Sequence, residues 1–173
     1  MTEFGIDAVP YAHPDLDSWR DNFHGVQALH EPSGFLFYGA IDDLWQSPGG
    51  NLHVVDYKAT STQREITLDG PWKQAYKRQM EMYQWLLRRG GLPVADTGYF
   101  VFVNGQSGLE KFGGRLEFHM QIIPYRADAG WVEDALLEAK VCLSRDLPPA
   151  GSRACEWCAY RREASRIEWA EAW

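Results

Sequence analysis

The sequence has no long apolar run, no basic leader and only three cysteines, and each of these absences excludes a class of protein. No stretch approaches the roughly 20 apolar residues that a membrane-spanning helix needs. Residues 1–10 lack the basic start and the apolar stretch of a secretory signal peptide. An odd number of cysteines without such a signal argues against a disulfide framework. We therefore expect a cytoplasmic protein with no membrane partner.

Positive charge is also scarce, because 17 Lys and Arg stand against 24 Asp and Glu, which gives a net charge of −7. A protein that coats nucleic acid by bulk electrostatics needs the opposite balance. The charge does not exclude an enzyme that acts on nucleic acid, since a bound metal adds local positive charge and basic residues can cluster on one face. The oligomeric state stays open.

Apolar and aromatic side chains are plentiful, at 45% and 14% of the residues, with eight Trp among them. A chain of 173 residues is long enough to build a hydrophobic core of its own. We predict a single domain, 1–173. Its core spans about residues 25–125, and a helical extension follows at about 126–173.

The first half of the chain carries strand signals. Apolar runs separated by turn residues predict strands at 25–31, 35–45 and 52–60, with a short helix or turn before them at 15–23. The turns at Pro32-Ser33-Gly34 and Ser47-Pro48-Gly49-Gly50 suggest two successive hairpins and hence an antiparallel meander.

Helical periodicity takes over at residues 71–89. Pro71 suits the first helical position, Asp69 is a plausible cap, and Gly90-Gly91 predicts the end. The spacing of the larger side chains predicts that one face of this helix is buried. The predicted face consists of Trp72, Ala75, Tyr76, Gln79, Met82, Tyr83, Leu86 and Leu87.

Strands are predicted again at 97–103 and 115–125, followed by helices at 128–143 and 155–173. The order is three strands, a helix, two strands and further helices. This order is typical of an α/β fold of the α+β type, in which a mixed central β-sheet is flanked by helices.

Two acidic residues and a lysine stand out in the strand region. Asp56 and Lys58 share a face of their strand because side chains alternate. If the second hairpin is centred near Gly49, Asp42 lies opposite Asp56, with Cβ atoms about 4.5–5.5 Å apart. Opposed carboxylates repel each other, and Mg²⁺ would resolve the repulsion because it binds one or two carboxylates together with waters and phosphate oxygens. The alternative is a plain cross-strand salt bridge between Asp42 and Lys58.

In this order, the motifs resemble the PD-(D/E)XK nuclease superfamily, and within it the RecB-like branch that includes the CRISPR-associated exonucleases. The resemblance rests on Gly-x-Ile-Asp ending at Asp42, on Asp-x-Lys at 56–58, and on Gln79 and Tyr83 four residues apart on the next helix. It covers about residues 25–125 and implies a restriction-endonuclease-like core. It also implies a metal-dependent exonuclease that hydrolyses DNA phosphodiester bonds.

The resemblance assigns a role to each of these residues. It implies that Asp42, Asp56 and the carbonyl of Tyr57 bind Mg²⁺ or Mn²⁺. Lys58 would position the attacking water and stabilise the phosphate, and Gln79 and Tyr83 would support the site.

The sequence departs from the family pattern at two points. RecB-like members have an upstream helical region that contributes a histidine to the metal, whereas no such motif precedes Asp42 here. Among the upstream histidines His13, His24 and His30, His24 would face Asp42 if the first hairpin were centred on Ser33. A shift of one residue would turn it away. Without this ligand, a catalytically degenerate protein that binds nucleic acid or another protein is the alternative.

The second departure concerns the cysteines. Cys155 and Cys158 resemble part of the cluster that holds a 4Fe–4S centre in some relatives. Such a centre needs four thiolates, and Cys142 is the only other cysteine in the sequence. We therefore do not expect an iron–sulfur cluster. A zinc- or iron-binding regulator built on Cys155 and Cys158, or a packing role for the pair, remains open.

Overall fold

The computed structural model describes residues 1–108, 111 and 113–171. The chain divides into two compact units, Met1–Leu136 and Leu137–Trp173. The first unit holds both sheets and the residues of the predicted site. The single domain that the sequence suggests for residues 1–173 stays a prediction.

A five-stranded mixed sheet forms the centre of the first unit. Its strands lie in the order β1 (Val9–Pro10), β4 (Asp43–Gln46), β5 (Leu52–Thr60), β6 (Thr97–Gly105) and β7 (Phe118–Arg126). Only β5 and β6 run parallel, and the long crossover that a parallel pair needs contains helix α2, Lys73–Arg89. The mixed central sheet with flanking helices that the sequence predicts is confirmed.

The predicted antiparallel meander is wrong, because the expected strand at 35–45 is two strands in different sheets. Strand β2 (Val26–His30) pairs with β3 (Phe35–Gly39) in a sheet of their own, and β4 begins only at Asp43. Between them the chain leaves the ladder, since the amide of Ile41 donates to the carbonyl of Trp19, in helix α1 (Leu16–Arg20), at 3.0 Å. The Ile41 side chain is buried in the core.

The face of helix α2 that packs on the sheet agrees with the predicted one only in part: Leu86 and Leu87 are buried and Tyr76, Met82 and Tyr83 pack against the core. The helix begins at Lys73, and Trp72 precedes it without a side-chain capping bond, so the expected helical Pro71 and the Asp69 cap are wrong. Trp72 and Ala75 are exposed. The buried residues of α2 are Met80, Glu81, Gln84, Trp85, Leu86 and Leu87.

The core of the first unit lies between the sheet and α2. Leu44, Val54, Leu86 and Phe100 are fully buried there and contact one another through a single apolar cluster. Gly98 on β6 allows this close packing, because a Cβ at that position would collide with the sulfur of Met80. Burial of this apolar surface is the main force that holds α2 against β5 and β6.

Two further helices complete the chain. Helix α3 spans Val132–Leu143 and α4 spans Glu156–Glu171. The last two residues of the predicted tail helix at 155–173 lie outside the described residues. In the part of the chain that the structure describes, no helix combines the length and the apolar character needed to cross a membrane.

Candidate active site

Asp56 and Lys58 form an ion pair on the central strand β5. The Lys58 Nζ lies 2.6 Å from Oδ2 of Asp56, as the alternation of side chains along a strand allows. The Asp56 side chain is 2% exposed and that of Lys58 is 17% exposed. This is therefore a buried acid next to a largely buried base.

The surroundings of the Asp56 carboxyl group disfavour its charged form. Burial raises its pKa above the usual range, Lys58 opposes the rise, and the negative charge of Asp42 adds to it. Although Lys58 is close, Oδ2 of Asp56 is buried and accepts no aligned hydrogen bond. The Lys58 ammonium compensates one negative charge of the Asp42–Asp56 pair and leaves the other, which a second cation at the site would compensate.

Asp42 reaches the same place from the segment between β3 and β4. Its Oδ2 accepts a hydrogen bond from the backbone amide of Tyr57 at 2.7 Å, which fixes the side chain beside β5. The ladder of β4 and β5 pairs Asp43 with Val55, so Asp42 stands one step beyond the ladder, level with Asp56. The predicted register around Gly49 is confirmed. Asp42 is exposed where Asp56 is buried.

A clamp of three residues that the sequence did not suggest holds Asp42 in position. Arg20 on α1 donates from Nε to the Asp42 carbonyl at 2.8 Å and from Nη2 to Oδ1 of Asp43 at 2.7 Å. The Tyr57 hydroxyl donates to the other oxygen of Asp43 at 3.0 Å, and the pKa of Tyr57 rises to about 12 through burial and this carboxylate. Both carboxylate oxygens of Asp43 therefore accept hydrogen bonds within the protein, and its role is structural.

Gln79 and Tyr83 extend the site onto helix α2. Lys58 Nζ donates to Oε1 of Gln79 at 3.1 Å, and Nε2 of Gln79 donates to the Tyr83 hydroxyl at 2.8 Å. Burial raises the pKa of Tyr83, and the charges of Asp56 and Asp42 add to the rise, whereas Gln79 opposes it. A continuous chain therefore runs from Asp56 through Lys58 and Gln79 to Tyr83.

The approach of α2 to β3 depends on Gly39. A Cβ on Gly39 would lie 2.9 Å from Cε1 of Tyr83, so a side chain at this position would displace the tyrosine ring. The Gly-x-Ile-Asp motif thus has two physical tasks, since its glycine makes room for Tyr83 and its aspartate enters the site.

Aromatic rings and a second lysine surround Lys58. Its Nζ lies 4.6 Å from the centre of the Tyr76 ring, and Lys73 Nζ lies 4.9 Å from the same ring. Cations over ring faces are favourable. Lys58 thus stands beside Asp56, and Lys73 adds a second positive charge over the same Tyr76 ring, in a chain whose overall charge is negative.

The residues of the site fit a hard divalent cation. Within the described residues no group of three or more His, Cys, Asp and Glu side chains forms a metal site. Asp42 and Asp56 offer two carboxylates, one with an oxygen that lacks an aligned hydrogen bond. Mg²⁺ and Mn²⁺ suit such a set because hard cations of this kind bind through few carboxylates and keep waters or phosphate oxygens. The Tyr57 carbonyl as a third ligand stays a prediction.

The structure does not bring His24 to Asp42. A hairpin centred on Ser33 would pair Val26 with Ala40 and His24 with Asp42. The β2–β3 ladder instead pairs Val26 with Gly39, one residue out of that register, so the predicted register is wrong. His24 precedes β2, is exposed, and its Nδ1 lies 3.1 Å from Oδ1 of Asp21.

Cys155 and Cys158 lie at the start of α4, in the second unit. The Cys158 amide donates to the sulfur of Cys155 at 3.4 Å, which together with the nearby Cys158 thiol lowers the pKa of Cys155. Cys142 and the pair are free thiols. The role of the three cysteines stays open.

Comparison with known proteins places this geometry in context. The profile of the PD-(D/E)XK nuclease superfamily matches residues 6–162. Both sheets, α2 and all of the site residues lie inside that range, and the mixed sheet agrees with the restriction-endonuclease-like fold. No curated protein matches the chain.

Proposed function

Since the chain belongs to the PD-(D/E)XK nuclease superfamily, we propose that it is a divalent-metal-dependent nuclease that hydrolyses phosphodiester bonds of DNA. Members of this superfamily are usually metal-dependent nucleases. The observation that carries the proposal is the grouping of charges on and beside β5: the buried Oδ2 of Asp56 lies 2.6 Å from Lys58 Nζ, and the Tyr57 amide holds Asp42 level with Asp56.

The two carboxylates have the role of metal ligands in this proposal. Asp42 and Asp56 would hold Mg²⁺ or Mn²⁺, and such an ion, when bound, neutralises charge on the phosphate and activates a water for attack. The Tyr57 amide keeps Asp42 pointed at the site, so that the ligand is preorganised before the substrate arrives.

Lys58 supplies the fixed positive charge. Its ammonium lies between Asp56 and Gln79, so its position is set from both sides. There it can donate a hydrogen bond to the attacking water or to a non-bridging phosphate oxygen, where negative charge increases in the transition state. Gln79 orients the ammonium and is itself held by Tyr83.

The closer relationship to the RecB-like branch and its CRISPR-associated exonucleases is also part of the proposal. It is supported by Gln79 and Tyr83, which lie one helical turn apart and form a hydrogen-bonded pair that leads to Lys58. This branch would make the enzyme an exonuclease.

The test is a cleavage assay on labelled single- and double-stranded DNA and RNA with Mn²⁺ or Mg²⁺. We expect Lys58→Met and Asp56→Asn each to lower the rate by about 10²–10⁴-fold, as the loss of a catalytic acid, base or charge donor typically does. Circular dichroism should show an unchanged fold. Lys77→Met is the matched control, since Lys77 lies on α2 over the Tyr125 ring instead. Metal-dependent cleavage at the original rate in both variants would exclude this site.

A catalytically degenerate protein that binds nucleic acid or another protein is the second candidate. The observation in its favour is that the upstream histidines have other contacts, His24 with Asp21 and His30 with Ser33 and Glu133. Calorimetric titration with Mn²⁺ separates the two candidates. No heat of binding up to millimolar metal, together with no cleavage, would favour this second candidate.

A further inference from the structure

A small cavity opens beside the candidate active site, between β3 and α2. Its volume is about 210 Å³, and Gln79 and Tyr83 form part of its lining. Tyr38, Ala75, Arg78 and Met82 also line it. Because Gln79 and Tyr83 belong to both places, whatever occupies the cavity lies next to the group that is bound at Asp42 and Asp56.

The size and chemistry of this β3–α2 pocket restrict its occupant. Pockets for drug-sized ligands measure about 300–1,000 Å³, so this one suits a single ring system. Tyr83 contributes a ring that Gly39 allows to lie close to β3. Tyr38 is 54% exposed, so much of its ring faces solvent and is available to a ligand. Because side chains alternate along β3, Tyr38 leaves the strand on the face opposite Gly39, so a flat aromatic group in the pocket would contact Tyr83 first and extend toward Tyr38.

Polar features at the rim favour a nucleotide over a purely apolar group. Arg78 is exposed and carries a fixed positive charge that suits a phosphate. The Gln79 amide, in contrast, is engaged by Lys58 and Tyr83. The pocket therefore offers ring contacts and a cation, and its one side-chain amide is not free to read the edge of a base.

We propose that the β3–α2 pocket receives one unstacked nucleobase of a single-stranded nucleic acid whose phosphate lies at Asp42 and Asp56. This inference rests on the proposed nuclease function and narrows it to unpaired strands and frayed ends. Proteins bind unpaired bases by stacking them on aromatic side chains, largely without regard to sequence. In an intact duplex the bases are stacked on each other and cannot enter.

The test uses single-stranded oligonucleotides that carry one abasic residue, moved along the strand from one substrate to the next. With the unaltered protein and Mn²⁺, we expect KM to rise about tenfold when the abasic residue falls at one position beside the cleaved bond, as the loss of one stacked base typically causes. Abasic residues elsewhere should have little effect.

Substitutions of pocket residues test whether the rise in KM arises from the loss of contacts in the β3–α2 pocket. Tyr38→Ala should raise KM on the intact strand by a similar factor and should remove the sensitivity to the abasic position, whereas Tyr38→Phe should behave like the parent. Ala75→Phe should also raise KM, because the new ring fills the cavity. Leu36→Ala is the control, since Leu36 is an exposed residue of the same strand face that does not line the pocket.

The outcomes separate this inference from the nuclease function. One outcome would overturn the pocket proposal and leave the nuclease function intact. In that outcome the protein cleaves normally, KM does not depend on the position of the abasic residue, and Tyr38→Ala behaves like the parent. The pocket can also be tested without cleavage. Fluorescence anisotropy, with Mn²⁺ present, would measure the binding of the single strand to the Lys58→Met variant. Tyr38-dependent, abasic-sensitive binding by a parent protein that never cleaves would keep the pocket and overturn the nuclease. If nothing binds, or if Leu36→Ala weakens binding equally, the pocket is overturned.

Discussion

Asp42 and Asp43 are neighbours with opposite roles, and the difference comes entirely from their partners. Both oxygens of Asp43 are occupied, by Arg20 and by the Tyr57 hydroxyl, so its charge is compensated inside the protein. Asp42 receives one backbone amide and remains exposed toward Asp56. The carboxylate that we propose as a metal ligand and its structural neighbour therefore cannot be exchanged.

Substitution of Arg20 tests the structural role of Asp43 and its effect on the position of Asp42. In Arg20→Met, Asp43 loses its cationic partner and the Asp42 carbonyl loses a donor, so we expect the free energy of unfolding to fall by about 1–2 kcal/mol. This range is low for a charged hydrogen bond because the Arg20 side chain is 41% exposed. Urea unfolding measures the stability, and Mn²⁺ titration should show weaker binding.

The control for Arg20 is Arg115→Met, which removes an exposed arginine paired with Glu117 outside the site. That variant should keep both its stability and its metal affinity. An Arg20→Met protein with unchanged metal affinity would show that the clamp does not position Asp42.

The residues of the site differ in how far the sequence could reveal them. Asp56 and Lys58 are two positions apart on one strand, and Gln79 and Tyr83 one helical turn apart, so local periodicity alone brings each pair together. Arg20 reaches Asp43 across 23 positions of sequence, and its contact depends on how α1 meets the end of β3. No local pattern carries that information.

At the scale of elements, helix α2 shows where periodicity fails. The predicted buried face included Trp72 and left out Glu81 and Gln84, whereas Glu81 and Gln84 are buried and Trp72 is exposed. Glu81 accepts from Tyr125 and from Trp131, which accounts for its burial. Gln84 donates from Nε2 to a carbonyl of the loop before β6, whereas its Oε1 is buried without a hydrogen bond. Partners that lie far away in sequence cannot be read from the helix itself.

The break between β3 and β4 was missed for a similar reason. Residues 35–45 form one largely apolar run between two turn signals, which predicts one strand, and only the hydrogen bond of Ile41 to Trp19 on α1 shows that the chain changes sheet there. The register of β4 and β5 was predictable because a tight turn at Gly49 fixes it.

Glu133 joins three elements and predicts how stability depends on pH. Its carboxylate accepts from Trp85 on α2 at 2.9 Å and lies 2.7 Å from Nε2 of the buried His30 on β2. The Trp85 hydrogen bond, followed by His30 and Arg89, lowers the pKa of Glu133 below 4.5. An acid with a lowered pKa in the folded state stabilises the protein above its unfolded value and loses that contribution as the pH falls.

We therefore expect the unaltered protein to lose stability more steeply than Glu133→Gln as the pH drops below 4.5 toward the lowered pKa. Urea midpoints measured in steps from pH 6 to pH 3 would show about parallel curves above this window and converging curves within it. Glu138→Gln, at an exposed position of the same helix, should follow the unaltered protein throughout. Curves that remain parallel to the lowest pH would remove Glu133 as a contributor.

At the scale of the whole molecule, the negative charge and the proposed nuclease activity place opposite demands on the chain. A net charge of −7 repels nucleic acid at a distance, so substrate must be held by local features. Lys58 and Lys73 beside Tyr76 and the cation expected at Asp42 and Asp56 supply such features. Metal should therefore serve both stability and substrate binding in this protein.

This leads to a prediction that needs no substrate. A ligand that binds only the folded state at about 100 times its Kd stabilises it by about 2.7 kcal/mol. For a chain of this length that raises Tm by about 5–10 °C. Mn²⁺ or Mg²⁺ should give such a rise in the unaltered protein, because either ion, held by Asp42 and Asp56, would relieve the repulsion between the two carboxylates.

The rise in Tm should depend on the two site carboxylates and not on acidic residues in general. The chain has 24 Asp and Glu, so weak binding elsewhere must be separated from the site. Asp42→Asn and Asp56→Asn should each abolish most of the metal-induced shift in a thermal melt. The exposed pair Asp7→Asn and Asp134→Asn should retain it. If all of these proteins showed the same shift, the ion would be binding elsewhere. Asp56 would then be left as a buried acid neutralised by Lys58 alone.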